Sequence, residues 1–446
     1  MEGSSRRRGT MNTVAVLKLT LHHGIVGYLA GFQSGKNILV FTDSFRSDQQ
    51  RPTLSLLTSP LYPQVDRILE KTYVTHQRLH PLLSNLLPEG ALRELIAQSL
   101  KVHIDNEFQL LAALGHDLPG ALIATPLDPE EIPDEIKFKL QISNPDQILK
   151  QEIRTDNKFS LAGVQMKFSM KAKDGRFTLV QATESSLLGD WIVKTPSSRH
   201  AFVPLNEYSM MSLAKMVGID VPEIRLVDMA LLQNLPPLNL PQEQYAFAIE
   251  RFDRQSTVDT TELIHIEDFA QIFGAYPQQK YSTTNYEQIG KIIYQFSDNK
   301  ILDIQQFASR LLVNILLANG DAHLKNWSMI YQDKRTPRLS PAYDILMTSV
   351  YIENELHFAL NLAKNKDWYL AEMKHFEQWA EKVGVPWRVI EKQLHAIMDK
   401  ARSVWPVLLL DLPMISVHKE KLREHWKKLH PDFQILTDDK ANLKPS

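Results

Sequence analysis

The segment Asn319-Gly320-Asp321-Ala322-His323-Leu324-Lys325-Asn326 crowds polar and charged side chains into a stretch that propensity alone would make a plain turn. Asp321 and Asn326 stand five apart, the spacing from a catalytic aspartate to a metal-binding asparagine in protein-kinase loops. Farther on, Tyr343-Asp344-Ile345 sets one carboxylate between apolar neighbours. Phosphoryl transfer asks little covalent chemistry of a protein. It needs a group to accept or orient the hydroxyl proton and hard oxygen ligands to hold Mg²⁺ across the phosphates of ATP. Asp321 suits the first task; Asn326 and Asp344 suit the second. The competing view makes Asn319-Gly320-Asp321 a helix stop and Asp344 a turn residue.

Three upstream segments bear on the same chemistry. Ser160-Leu161-Ala162-Gly163-Val164-Gln165-Met166-Lys167 joins small residues, whose backbone N–H groups can approach a phosphate, to a lysine. Lys194 ends the β-branched run Trp191-Ile192-Val193, as a phosphate-contacting lysine does in kinase strands. Glu207, opening the next helix, is a partner for Lys194, although the helix dipole alone would account for an acidic residue there. Glu250-Arg251-Phe252-Asp253-Arg254 falls where strands give way to helices, the place of an adenine-binding hinge in a two-lobed kinase. Each of these has a plain structural counterpart: a hairpin turn, an exposed strand lysine and a solvated strand end.

The elements that must position these groups follow from periodicity. Val14–Leu21 and Ile25–Phe32 read as a hairpin broken at His23-Gly24. Helices are expected around 80–87, 92–100 and 108–114, the last stopping at Gly115. The acidic, proline-rich stretch 128–135 suits a boundary. Strands are predicted at 166–170, 177–181, 191–195, 223–229, 245–251 and 327–331, and a helix from Asn206 to Gly218. After Phe252 the pattern turns helical: Ile304, Phe307, Ala308, Leu311, Leu312, Ile315 and Leu316 form one stripe, with Asp303 as its N-cap. Further helices are expected at 368–383, 387–404 and 417–429. The expectation is an α+β chain: residues 1–11 a disordered leader, 12–150 a small β-rich domain, 151–255 a strand-rich lobe and 256–446 a helical lobe. Ligands usually bind in the cleft between such lobes.

Composition narrows the classes. Lys plus Arg number 50 against 52 Asp plus Glu, too balanced for a dedicated nucleic-acid binder. The absence of cysteine excludes disulfides, thiolate metal sites and a cysteine nucleophile, and suits a reducing compartment. No apolar run reaches the length needed to cross a bilayer, and MEGSSRRRGT lacks the core of a signal peptide, so a cytoplasmic protein is expected.

Taken together, SLAGVQMK (160–167), NEYSMMSLAKMVGIDVPE (206–223), ERFDR (250–254), GDAHLKN (320–326) and PAYDI (341–345) resemble the HipA family of bacterial toxin kinases. LSNLLPEG (83–90) and LLAALGHDLPGAL (110–122) are similar to that family's N-terminal domain. The resemblance implies a two-lobed kinase fold binding ATP and Mg²⁺. Ala162, Gly163, Val164, Gln165, Met166 and Lys167 would form the phosphate loop, and Lys194 would contact phosphate. Glu250, Arg251 and Phe252 would hold adenine. Asp321 would accept the proton, while His323, Leu324, Lys325, Asn326, Tyr343 and Asp344 would complete the site. It further implies autophosphorylation of Ser160 as self-inactivation. The implied partners are a helix-turn-helix antitoxin of the HipB type, DNA only through that antitoxin, and a protein target such as an aminoacyl-tRNA synthetase. Met166 departs from the family, where a polar or acidic residue often precedes the lysine. Rival readings are a small-molecule kinase of the aminoglycoside-phosphotransferase kind, whose loop shares GDxHxxN, and a DNA-tethered co-repressor scaffold using the basic residues of 419–428.

Overall fold

The computed structural model describes residues 13–142, 148–149, 165–180, 188–236, 239–256 and 261–436. The leader, Ser160 and, within the expected phosphate loop, Ala162, Gly163 and Val164 lie outside them.

The first sheet has the order β4-β3-β2-β1-β5, from β1 (Val14–Leu21), β2 (Gly24–Phe32), β3 (Lys36–Phe41), β4 (Tyr73–His76) and β5 (Leu122–Pro126). Strand alternation gives it two apolar faces. Leu17, Leu19, Leu29 and Leu39 pack against Phe108, Leu110 and Leu111 of the helix Glu107–Leu114. Val16, Tyr28, Ile38 and Val40 cover Ile132 and Ile136. The stretch 128–135 is therefore packed structure and no loose connection: it forms a 3₁₀ turn and the start of the helix Asp134–Lys139. Gly115 caps the helix before it, and a Cβ there would lie 2.2 Å from the Ala124 carbonyl oxygen. Close approach to β5 is what requires glycine.

The second sheet runs β10-β7-β6-β8-β11-β9, from β6 (Lys167–Lys173), β7 (Arg176–Leu179), β8 (Trp191–Lys194), β9 (Ile224–Asp228), β10 (Leu232–Gln233) and β11 (Tyr245–Glu250). One face, with Met170, Trp191, Val193 and Ala248, packs on Ala91 and Leu95 from the helix Gly90–Ser99 of the first unit. The other meets the helix Val203–Met216 through Phe247, Met210 and Leu213. That helix starts three residues before the expected Asn206, after Phe202 in the left-handed region at φ 60°.

Beyond Phe252 the chain does not turn directly to helix. β12 (Arg254–Ser256) pairs with β13 (Thr261–Leu263), and β14 (His265–Asp268) joins β15 (Ser328–Tyr331) and β16 (Arg338–Leu339). The helical body follows: Tyr286–Phe296, Lys300–Leu316, Met373–Val383, Trp387–Asp411 and Ser416–Lys428 share one core. Asp303 is not the cap of its helix. Asn299 accepts from the Leu302 N–H, and buried Asp303 receives Arg338 at 2.9 Å and the Leu339 N–H at 2.8 Å. The helix Trp387–Asp411 runs through Pro406, past the stop expected at Val404, because Trp405 and Leu409 continue its buried stripe.

Polar groups buried between the units fix how they sit. The two arginines Arg251 and Arg254 enclose Asp253 and Asp117, and both donate to the Leu118 carbonyl. Glu267 accepts from the Leu56 N–H at 2.6 Å and from the Tyr331 hydroxyl. Burial pushes the Glu267 carboxyl up from 4.5 to about 7, despite those donors. The folded protein thus holds this proton more tightly than the unfolded chain. Its stabilising contribution is full below about pH 4.5 and is lost as pH rises through about 7, on the order of 3 kcal/mol at most. Thermal unfolding from pH 5 to 8 should show Glu267→Gln losing this part of the pH dependence. A wild-type and variant difference that stays constant across the range would contradict the assignment.

Candidate active site

Lys194 is the last residue of β8 and is buried. Strand alternation sends Trp191 and Val193 into one core and turns Lys194 towards Phe247 and the helix Val203–Met216. Its ammonium donates to Glu207 Oε1 at 2.5 Å and to Asp344 Oδ1. Lys167, paired with Lys194 across β6 and β8, donates to Asp344 Oδ2 at 3.2 Å. Two ammonium groups and two carboxylates thus meet from two strands, a helix and a loop. Burial alone would lower the Lys194 pKa, but Asp344 and Glu207 outweigh it and raise it. Burial alone would raise the Asp344 carboxyl; Lys167 and Lys194 hold it well below the ordinary range. Burial pushes Glu207 up, Lys194 opposing.

Asp344 sits in the left-handed region at φ 55°. A non-glycine residue pays for that conformation, although aspartate tolerates it better than most. The loop carrying Asp321 begins where the helix Lys300–Leu316 ends. Ala318, also left-handed at φ 51°, donates its N–H to the Ile315 carbonyl, and the Asn319 N–H reaches the Asn314 carbonyl at 2.9 Å. This is a Schellman stop with alanine in the usual glycine place. The helix stop and the polar loop are one structure, and the two readings of this segment do not exclude each other.

Asn319 ties the two loops together. Its Oδ1 accepts from the Asp321 N–H at 3.1 Å, while Nδ2 donates to the Asp344 carbonyl at 3.4 Å. Asn326 Nδ2 donates to the Asp321 carbonyl at 2.8 Å, leaving Oδ1 as the end suited to a cation. Asn326 and Asp344 line one small cavity with Tyr343 and Asn319. An ionised carboxylate beside an amide oxygen is a donor set that fits a hard divalent ion. The Asp321 carboxylate is partly exposed and accepts from the Tyr281 hydroxyl. His323 is buried; burial lowers its pKa to about 4, so it is neutral at pH 7. The Lys325 N–H donates to His323 Nδ1, which assigns the ring proton to Nε2, 3.9 Å from Asp321.

The remaining expected residues divide. Met166 is buried in the strand-lobe core, which gives its departure from the family pattern a packing reason. Gln165 is half-buried. Leu324 is core, and its N–H reaches the Lys280 carbonyl. The Tyr343 hydroxyl donates to the Lys325 carbonyl at 2.9 Å, and Phe252 packs on the Tyr343 ring. Arg251 is engaged with Asp117 and Asp253, and the N–H groups of Glu250 and Arg251 bond Glu223 and Asp190. Lys325 turns away from Asp344, to Glu89 at 2.9 Å and the Asn85 carbonyl at 2.9 Å. Sequence reasoning missed Tyr281 and Glu89. Only Glu89 lay in a motif already singled out, LSNLLPEG.

Residues 17–125 match the HipA N-terminal domain and residues 159–405 the HipA-like C-terminal domain. The chain belongs to the HipA family. Its relatives include the provisionally named kinase Y4dM of Sinorhizobium fredii, 36% identical over 93% of this chain and 97% of that one. The serine/threonine-protein kinase toxin HipA of Shewanella oneidensis is 25% identical over 94% of this chain and 95% of its own length. The solved complex of Shewanella oneidensis MR-1 HipA with HipB and its operator DNA superposes with a TM-score of 0.67 at 22% identity, covering 92% of this chain and 96% of that one. The mixed α/β architecture expected from the sequence is thus the HipA fold.

Removing the cation from this cluster should leave Glu207 and Asp344 facing each other with one exposed lysine. Lys194→Met is expected to lower the unfolding free energy by about 3 kcal/mol at pH 7, measured by urea denaturation. A loss under about 1 kcal/mol would mean the ammonium is not what balances the buried carboxylates.

Proposed function

We propose that this chain is an ATP- and Mg²⁺-dependent kinase of serine or threonine hydroxyls in a protein target, and the toxin of a toxin–antitoxin pair. The observation that carries the reading is the pairing of Lys194 with Glu207 and Asp344, beside a loop in which Asn319 and Asn326 hold Asp321. Likeness to relatives named as kinases supports it.

In this reading Lys194 and Lys167, which neutralise Asp344 in the protein alone, bind phosphate oxygens when ATP is present. Glu207 keeps Lys194 in place through that exchange, because its contact is on the buried side of the cluster. Asp344 and the Asn326 amide oxygen would hold Mg²⁺, which supplies charge neutralisation across the phosphates. Asp321, reachable from solvent, orients the acceptor hydroxyl and takes its proton. Neutral His323 adds no positive charge beside it. Phe252 and the backbone of 250–252 would flank adenine. Ser160, ahead of the phosphate loop, is the proposed autophosphorylation site; a phosphate there would compete with the loop's own anion binding and switch the enzyme off. A helix-turn-helix antitoxin of the HipB type is the proposed partner, with DNA reached only through it.

Asp321→Ala should reduce phosphate transfer from Mg-ATP by about 10²–10⁴-fold while circular dichroism and nucleotide binding stay unchanged. Full turnover would remove Asp321 from the mechanism. Mass spectrometry of the wild-type chain after incubation with Mg-ATP should find phosphate on Ser160; transfer to an aminoglycoside, with none on protein, would favour a small-molecule kinase instead.

A further inference from the structure

Glu89 lies in the first unit, directly before the helix Gly90–Ser99, in the motif LSNLLPEG. Gly90 takes φ 59°, a left-handed turn open to solvent on its Cβ side, and this bends the chain so that Glu89 leaves the helix. The carboxylate reaches out of its own unit and takes two lysines at once. Oε2 accepts from Lys280 Nζ at 2.7 Å and Oε1 pairs with Lys325 Nζ at 2.9 Å. Burial alone would raise its pKa; the two lysines bring it down to about 2, so it is ionised at any working pH.

Each lysine leads to Asp321. The Lys280 ammonium lies 5.6 Å from the centre of the Tyr281 ring, and the Tyr281 hydroxyl donates to Asp321 Oδ1. The Lys280 carbonyl also accepts from the Leu324 N–H, and Tyr281 meets His323 edge-on at 5.0 Å. The second arm is Lys325, next in the chain to Asn326, whose amide holds the Asp321 carbonyl. The Lys325 ammonium also donates to the Asn85 carbonyl of the first unit. One carboxylate therefore braces the side chain of Asp321 through Tyr281 and its backbone through Lys325 and Asn326.

We infer that Glu89 is a positioning residue for the proton acceptor, and that Tyr281 is the arm that aligns the Asp321 carboxylate. With Oδ1 held by the phenol, Oδ2 is the oxygen turned to the acceptor hydroxyl. The first unit then serves the chemistry, and its seating governs how well the acceptor oxygen is aimed. This rests on the proposed role of Asp321.

The test uses the full chain with Glu89→Gln, Tyr281→Phe, the double variant, Glu89→Asp and Asp321→Ala. The first readout needs no activity: hydrogen–deuterium exchange over 280–283 and 319–326. Glu89→Gln should speed exchange there, with exchange in the helix Trp387–Asp411 unchanged. The second is phosphate incorporation from Mg-ATP into the chain itself. Glu89→Gln and Tyr281→Phe should each lower kcat about tenfold with KM for ATP within about twofold, and the double variant should lose about tenfold, not a hundredfold. Glu89→Asp should recover part of the rate. Unchanged exchange in the loop, additive losses, or faster exchange that extends equally to the helix Trp387–Asp411 would each overturn the inference while leaving Asp321 in place. Full incorporation by Asp321→Ala, or none by the wild type, would instead fail the underlying reading, and the brace would lose its purpose with it.

Discussion

A buried ammonium cannot stand alone in a protein interior, and Lys194 satisfies that constraint by drawing Glu207 and Asp344 to itself. The three come from a strand, a helix and a loop after the helical body begins, so the ion cluster joins the two lobes as well as neutralising them. Charge balance needs Lys167 too, because one ammonium between two carboxylates would leave an unpaired negative charge. Buried ion groups of this kind contribute little net stability compared with an apolar core of equal size. Their value lies in being geometrically demanding and in having charge available for exchange with another anion.

Local strain gathers where that cluster meets the Asp321 loop. Ala318 and Asp344 both occupy the left-handed region, and Asn319 spans the gap between their segments. Gly320 is needed for another reason: a Cβ there would come 2.3 Å from Glu355 Oε1 and 2.9 Å from the His357 carbonyl. Strained backbone persists only when its surroundings over-determine it. Here the stop of the helix Lys300–Leu316, the Thr348 hydroxyl that accepts from the Gly320 N–H, and the two asparagine amides do so together.

The first unit is tied to the rest by polar groups that have few alternatives. Asp117 and Asp253 with Arg251 and Arg254, the His265 ring on the Leu54 carbonyl, and Glu267 on the Leu56 N–H are all buried. Apolar contacts such as Ala91 and Leu95 against the second sheet supply area without register. The paired donors and acceptors supply the register, since each group left without its partner would be costly.

Periodicity in the sequence was enough to place the first hairpin, the strands carrying Lys194 and Glu250, and the stripe of the helix Lys300–Leu316. Those patterns are set by which face each residue must bury. The five-residue spacing of Asp321 and Asn326 also foretold that the two would meet, because neighbours along one loop stay neighbours in space, and Asn326 Nδ2 donates to the Asp321 carbonyl. Element ends were less legible: Asp303 looked like a cap but serves Arg338, and the helix expected to end at Val404 runs on through Pro406, held by Trp405 and Leu409. The strands β12, β13 and β14, which follow Phe252, are short, and β14 owes its place to β15, sixty or more residues farther along the chain. Only the tertiary structure could turn Lys325 to Glu89, set Lys280 beside the same carboxylate and bring Tyr281 to Asp321. A side chain's type is written in the sequence, but the partner that neutralises it is chosen by packing, among every charge the fold brings within reach.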